Sequence, residues 1–174
     1  MATAIVRPIA DLINGSAVGN FSSVNDAVVD PTAGDGFPMT WTDDQSGNAY
    51  RAKMGPMPPY LGTASQVVMK VYCKSDISMY CYMTMLLNGV QLASSTLTVT
   101  SSYAWYTLTY TGTLTKTQLS GLQCQFTPDN LSGKNDDAAL DVMYAEITYV
   151  EAPGQNFFMM GCWILGALLW LGLR

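Results

Sequence analysis

The feature that most restricts the fold of this chain is a two-residue alternation of apolar and polar side chains that recurs between residues 66 and 150. The clearest stretch has Val67, Met69, Val71 and Cys73 on one side, and Val68, Lys70, Tyr72 and Lys74 on the other. Successive side chains of a strand point to opposite faces, so this pattern predicts a half-exposed β-strand. Similar rows predict further strands at residues 79–87, 90–95, 96–100, 106–111, 122–126 and 138–150.

Turn-forming residues separate these rows and indicate the fold class. Asn88-Gly89 follows the row at 79–87, and both residues tolerate the positive φ of a type I′ hairpin turn. Residues 14–64 predict short strands joined by long loops, and residues 115–120 predict one helical turn. About eight strands at this spacing predict an all-β protein, an antiparallel β-sandwich of jelly-roll type. We expect this domain to cover residues 1–152.

The C-terminal segment differs abruptly from the rest of the chain. Residues 157–173 contain no charged side chain, and Arg174 follows them. As an α-helix this run would be about 25 Å long, near the lower limit for crossing a hydrocarbon core of roughly 30 Å. A helix without a polar face must be buried in an oligomer, in a membrane or against its own sandwich. We predict a hinge at 153–156 and an apolar anchor helix at 157–174, with contacts from Phe157, Phe158, Trp163, Ile164, Leu165, Gly166, Leu168, Leu169, Trp170 and Leu171.

The charge balance and the absence of histidine exclude several classes of function. Charged residues make up 12% of the chain and its net charge is −5, so nucleic-acid phosphates would be repelled. A chain without histidine has no imidazole metal ligand and no Ser-His or Cys-His catalytic pair. We therefore expect no nucleic-acid partner, no cofactor and no enzymatic activity.

The four cysteines, Cys73, Cys81, Cys124 and Cys162, follow no metal-binding or redox spacing, because no C-x-x-C pair occurs. Three of them fall within the apolar rows of predicted strands, where a free cysteine behaves as a small apolar side chain. We expect buried thiols. A disulfide between Cys73 and Cys81 across a hairpin is the alternative.

Acidic residues are the remaining candidates for chemistry, and they cluster in predicted turns. Asp43-Asp44 and Asp136-Asp137 are the adjacent acidic pairs, and in turns an Asp commonly bonds to nearby backbone. A Ca²⁺ site is the alternative, since this cation prefers carboxylate and amide oxygens. Such a site would use Asp129, Asn130, Asn135, Asp136 and Asp137. Their spacing does not match an EF-hand loop, so we predict no metal.

Aromatic residues near predicted loops and strand ends offer another type of site. Trp41, Tyr60 and Trp105 are candidates for stacking on a sugar ring, although aromatic residues of β-proteins more often pack in a core or a subunit interface. A second set of rings alternates with the apolar rows and therefore faces outward: Tyr72, Tyr80 and Tyr82. On a sheet with little charge, such rings favour a covering subunit or layer.

Several motifs together resemble a known family. They are Arg7-Pro8-Ile9-Ala10-Asp11, Tyr50-Arg51-Ala52, Asn88-Gly89, residues 97–102, Trp105-Tyr106-Thr107-Leu108-Thr109 and the predicted strand at 140–149. Over residues 5–150 the chain resembles small jelly-roll proteins of tailed bacteriophages and prophages, whose sandwich is carbohydrate-binding-like. The resemblance implies a virion accessory protein, in capsid decoration, a head fibre, a vertex or the tail, and no catalytic residues. The apolar run is not part of that pattern.

Taken together, these features predict a non-enzymatic structural protein of a virion, assembled in the host cytoplasm and held by its apolar C-terminal helix. Its partners would be further copies of itself and other virion proteins. One alternative is a carbohydrate- or receptor-binding spike that uses Trp41, Tyr60 and Trp105 on a surface glycan. The other is a membrane-anchored protein of a lipid-containing virus or a host envelope, with residues 157–173 in the bilayer.

Overall fold

The computed structural model of the chain describes residues 1–14, 38–41, 48–129 and 137–153. These ranges contain β1 (Ala2–Asn14), β2 (Met39–Trp41), β3 (Tyr50–Gly55), β4 (Leu61–Ser75), β5 (Met79–Leu87), β6 (Val90–Val99), β7 (Ala104–Thr115), α1 (Lys116–Leu119), β8 (Leu122–Pro128) and β9 (Ala138–Glu151). The predicted all-β class is confirmed. The helical turn expected near residue 115 is α1, which Thr115 and Gln118 cap reciprocally.

The strands form two antiparallel sheets that share β1. Sheet A has the order β1, β9, β4, β7, and short strand β2 also pairs with β9. Sheet B has the order β1, β3, β8, β5, β6. The pairs β1–β9, β3–β8, β4–β7 and β5–β6 are nested in sequence, like one long hairpin rolled up on itself. This nesting is the arrangement of a jelly roll, so the predicted sandwich is confirmed.

Strand β1 is not among the strands that we predict from the sequence. Its first half pairs with β9, as far as Val6 opposite Ala145, and its second half pairs with β3, from Arg7 opposite Gly55. The register shifts between Pro8 and Ala10, a position that suits proline because strand prolines occur at edges and bulges. One strand thereby closes one side of both sheets.

Among the described residues, one hydrophobic core lies between the sheets. The core contains the inward residues of β4, such as Met69, and the inward residues of β5 and β8, such as Met83 and Phe126. The rings of Trp41 and Phe126 are fully buried and lie 5.6 Å apart between centroids. Because Trp41 belongs to sheet A and Phe126 to sheet B, this contact joins the two sheets through short strand β2.

Three of the cysteines are buried in this core as free thiols: Cys73, Cys81 and Cys124. The expectation of buried thiols is confirmed for them, and Cys73 and Cys81 form no disulfide. Burial raises the pKa of the Cys81 thiol to about 12, and it also raises the pKa of Cys73 and of Cys124. All three are protonated, inert side chains near neutral pH.

We expect the free energy of unfolding to fall as pH rises above about 9, the ordinary thiol value, because thiols of the unfolded chain lose their protons before those of the folded chain. Each such thiol contributes a slope of up to about 1.4 kcal/mol per pH unit. Urea unfolding between pH 7 and 11 measures this decrease in the free energy of unfolding. Cys124→Ala should be less stable than the parent chain at pH 7, but its free energy of unfolding should fall less steeply with pH. An unchanged steepness in this variant would contradict a raised pKa of the Cys124 thiol in the folded chain.

The hairpin between β5 and β6 has the predicted turn. Asn88 has φ 50° and Gly89 has φ 84°, and the Asn88 N–H donates to the Gly121 carbonyl at 2.9 Å. A Cβ at Gly89 would meet nothing within 4 Å, so only the backbone conformation opposes a side chain there. Gly89→Ala should therefore lower the free energy of unfolding by about 1–2 kcal/mol, measured by urea unfolding. An unchanged stability would mean that the turn has another conformation in solution.

The predicted hinge and apolar helix lie, apart from Pro153, outside the described residues. This applies to every contact residue from Phe157 to Leu171 that we predict above, and to Cys162. Their conformation stays a prediction. Among the residues that the structure does describe, no helix is long and apolar enough to cross a bilayer.

Candidate functional site

The outward face of sheet B carries a polar surface with two tyrosines. Along β5 the inward residues join the core, and Tyr80, Tyr82 and Thr84 therefore point outward. Tyr80 is 59% exposed and Tyr82 is 38% exposed. Both rings are accessible to a ligand, and they lie about 7 Å apart along the strand.

A groove of about 430 Å³ lies on this face, across strands β6, β5 and β8. Its floor consists of two rungs, each a set of residues directly opposite one another on the three strands. The first rung is Thr96, Tyr82 and Thr127, and the second is Ser94, Thr84 and Gln125. With Gln91 of β6, the groove is therefore lined by hydroxyl groups, two amides and one aromatic ring.

Hydrogen bonds fix the polar groups at the β8 side of the groove. Arg51 Nε, on neighbouring strand β3, donates to Gln125 Oε1 at 2.7 Å, and Gln125 Nε2 donates to Thr127 Oγ1 at 3.0 Å. On the β6 side, Gln91 Nε2 donates to Ser94 Oγ at 3.1 Å. A Gln amide has two donors and two acceptor sites, so each of these amides keeps some capacity for a ligand while its orientation is held.

Tyr82 is held by the carboxylate of Asp129, which directly follows β8 beyond the first rung of the groove. Its hydroxyl donates to Asp129 Oδ2 at 2.7 Å, and this hydrogen bond raises the pKa of Tyr82. The phenol is therefore a neutral donor near neutral pH. The bond restricts the ring without covering it, so less side-chain entropy is lost when a ligand stacks there.

The chemistry of the groove suits binding better than catalysis. Hydroxyl and amide groups exchange hydrogen bonds with a polar ligand, and the ring offers an apolar face. Of the side chains that line it, none is a carboxylate or a cysteine thiol. Within the described ranges, no three residues of the metal-ligating types come together.

The three rings that the sequence singles out for sugar stacking do not form one site. Trp41 is fully buried against Phe126, so the prediction is wrong for this residue, whose ring completes the core. Tyr60 and Trp105 are exposed, at 51% and 40%. Tyr60 precedes the first residue of β4, whereas Trp105 lies opposite Tyr72 near the other end of that strand. They are therefore about 35–40 Å apart along the strand.

Trp105 belongs instead to an aromatic cluster on the outward face of sheet A. Its ring lies 5.0 Å from that of Tyr72 and 5.6 Å from that of Tyr144, and Tyr72 stacks on Tyr103 at 5.1 Å. Lys74 Nζ lies 5.1 Å from the Tyr103 ring centroid, within cation–π range. Because these rings occupy one another's faces, the cluster stabilises the sheet and presents chiefly Trp105 to solvent.

The alternative Ca²⁺ site lies partly outside the described residues, because Asn130, Asn135 and Asp136 fall there. Of its described members, Asp129 accepts the hydrogen bond from Tyr82, and the Asp137 carbonyl accepts one from the Asp76 N–H at 2.9 Å. These contacts give both residues structural roles. The structure leaves the calcium alternative untested.

The polar residues of the groove are the functional candidates that sequence reasoning missed. Alternation along β5 already indicates that Tyr80 and Tyr82 face outward, which the structure confirms. It does not indicate that Thr84 of β5 lies beside Gln125 of β8, since the partner of a strand is set by the topology of the whole sandwich. Outward Thr and Gln residues taken singly are ordinary surface residues.

Comparisons with known proteins add neighbours of similar architecture. No protein-family model and no curated protein sequence matches the chain. A solved structure described as "CBM4 structure and function" is 14% identical with a TM-score of 0.46, covering 63% of this chain and 81% of that one. A family 16 carbohydrate-binding module is 12% identical with a TM-score of 0.46, covering 67% and 80%. A carbohydrate-binding module of family 36, in complex with calcium and xylotriose, is 13% identical with a TM-score of 0.37, covering 85% and 100%.

These neighbours are carbohydrate-binding modules with β-sandwich folds, and none of the three is a virion protein. The fold and the groove of this chain follow from its own strands and side chains.

Proposed function

We propose that this chain is a non-enzymatic saccharide-binding protein and that the groove on sheet B is its binding site. The observation that carries the proposal is the exposed ring of Tyr82 beside two rungs of outward hydroxyl and amide groups, in a groove of about 430 Å³. This volume lies within the range of ligand pockets, roughly 300–1,000 Å³.

The physical argument rests on the two-sided character of a sugar ring. A pyranose presents apolar C–H groups on its faces and hydroxyl groups around its edge, so it needs an aromatic surface and polar partners at the same time. Tyr82 supplies the surface, and Thr84, Gln125 and Thr127 supply the partners from two neighbouring strands. Because the groove is open along β5, an oligosaccharide could extend from Tyr82 toward Tyr80.

The test is retention of the full chain in native gels that contain soluble polysaccharides. The panel includes neutral glucans, xylans, mannans and galactans and the acidic polymers pectate and alginate. We expect at least one polysaccharide to slow migration, and free oligosaccharide of the same kind to restore it. The proposal is wrong if no polysaccharide changes the migration at any concentration tested.

A role as a structural component of a virion is a second candidate function. Strand β1 carries exposed apolar side chains along most of its length: Ile5, Ile9, Leu12 and Ile13. Such a row favours contact with another protein surface. Together with the apolar run at 157–173, it supports the prediction that the chain assembles with copies of itself and with other virion proteins.

The oligomeric state tests this second candidate. The mass of the full chain, measured in solution without detergent, is compared with that of a chain lacking residues 157–174. A discrete oligomer that becomes a monomer on truncation supports assembly through the C-terminal run. Flotation of the full chain with liposomes, lost on truncation, would support the membrane-anchored alternative instead.

A further inference from the structure

Two cations lie beside the groove on the outward face of sheet B. Arg51 and Lys53 of β3 point to this face, opposite Gln125 and Gln123 of β8 respectively. They are two residues apart on one strand, so their positions differ by about 7 Å. Arg51 extends the second rung of the groove by one strand.

The guanidinium of Arg51 is held beside the groove by a hydrogen bond from one of its donors. Its Nε–H is used by Gln125 Oε1, at 2.7 Å. A guanidinium has five N–H donors, and among the residues that the structure describes no acceptor is observed for the four on its two Nη atoms. Within the described part of the chain, the ion pair observed is Lys70 with Glu146 on sheet A, and no carboxylate pairs with Arg51 or Lys53.

The charges along the groove are unequally placed. Asp129, which holds Tyr82, follows Gln125 by four residues at the far end of β8, and this separation is about 13 Å. A carboxylate therefore lies beyond one end of the groove, whereas Arg51 lies beside its second rung and Lys53 lies two residues further along β3.

From this geometry we infer that the groove takes an acidic saccharide whose carboxylate pairs with Arg51 while its ring stacks on Tyr82. The inference rests on the proposed function and specifies its ligand as a hexuronate oligomer. A planar carboxylate matches the two parallel Nη donors of a guanidinium in a bidentate pair. Lys53 adds attraction at longer range, whereas Asp129 disfavours the reverse orientation of the ligand.

The experiment compares ligands that are identical except that the carboxylate is free in one and methylated, and therefore uncharged, in the other. Oligomers of galacturonate, glucuronate and mannuronate are each titrated against the full chain by calorimetry, together with their methyl esters. In at least one pair, we expect the acid to bind about 10-fold or more tightly than its ester at low salt. The difference should shrink as NaCl is added.

Variants separate the two cations and the ring. Arg51→Gln also frees the amide of Gln125, so its affinities for the acid and for the ester are both compared with those of the parent chain, and the acid should lose more until the preference disappears. Lys53→Gln, with the same change in charge, should reduce the preference less. Circular dichroism of each variant confirms that it is folded. An acid that binds no better than its ester in every pair, or a preference that survives Arg51→Gln, overturns the inference. If neutral saccharides still bind and Tyr82→Ala weakens this binding, the proposed function stands without the inference; if no saccharide binds, both are overturned.

Discussion

Replacing Tyr82 with alanine is expected to weaken saccharide binding by about 30-fold, which corresponds to roughly 2 kcal/mol. The ring is the aromatic surface of the groove, and its removal leaves the polar rungs without a stacking partner. Because 38% of the side chain is exposed, we expect the free energy of unfolding to change by less than about 1 kcal/mol. Calorimetric titration and urea unfolding measure the two quantities separately.

The matched control for Tyr82→Ala is Trp105→Ala. Trp105 is an equally exposed ring, at 40%, but it lies on sheet A. Trp105→Ala should leave the affinity for saccharide within about twofold of that of the parent chain. It should lower the free energy of unfolding, because the contacts of the ring with Tyr72 and Tyr144 are lost. Tyr82→Phe keeps the ring and loses the bond to Asp129, so we expect an intermediate affinity. Loss of binding in Trp105→Ala alone would move the site to sheet A.

The second large effect is expected in the core, where Phe126→Ala should lower the free energy of unfolding by about 3–5 kcal/mol. Phe126 is fully buried, and its ring meets Trp41 across the two sheets. Its removal leaves a cavity at the contact that joins β8 to β2. Urea unfolding monitored by circular dichroism measures the loss, and a constant dependence on denaturant shows that both proteins unfold in the same way.

Thr127→Ala is the matched control for Phe126→Ala, since the adjacent residue on the same strand points into the groove. It should cost less than about 1 kcal/mol. A loss of stability below about 1 kcal/mol in Phe126→Ala would show that the two sheets do not share this contact.

Local patterns predict much of this fold. The alternation at Val67, Met69 and Val71 identifies the centre of β4, and Asn88-Gly89 identifies the β5–β6 hairpin. These predictions succeed because strand alternation and turn geometry depend on residues close together in sequence. The prediction of the helical turn at α1 succeeds for the same reason, since Thr115 and Gln118 of its capping box are three residues apart.

Features that depend on distant pairing were not predictable in this way. Pro8 makes β1 look interrupted, yet the strand continues because its register against β3 shifts between Pro8 and Ala10, just after it passes from β9 to β3. Trp41 lies among turn-forming residues in the sequence, but the fold places its ring over Phe126, 85 positions later. The chain also brings Arg51 beside Gln125 only through the β3–β8 pair, so no local pattern reveals their hydrogen bond.

The most direct test of the account is to map bound saccharide on the ¹⁵N-labelled chain by nuclear magnetic resonance. A saccharide from the retention panel is added stepwise, and the amide shifts of the two outward faces are compared. We predict saturable shifts at Tyr82, Thr84, Gln125 and Thr127 on sheet B, with little change at Tyr72 and Trp105 on sheet A. Shifts confined to the aromatic cluster of sheet A, with the groove unchanged, would contradict the central claim.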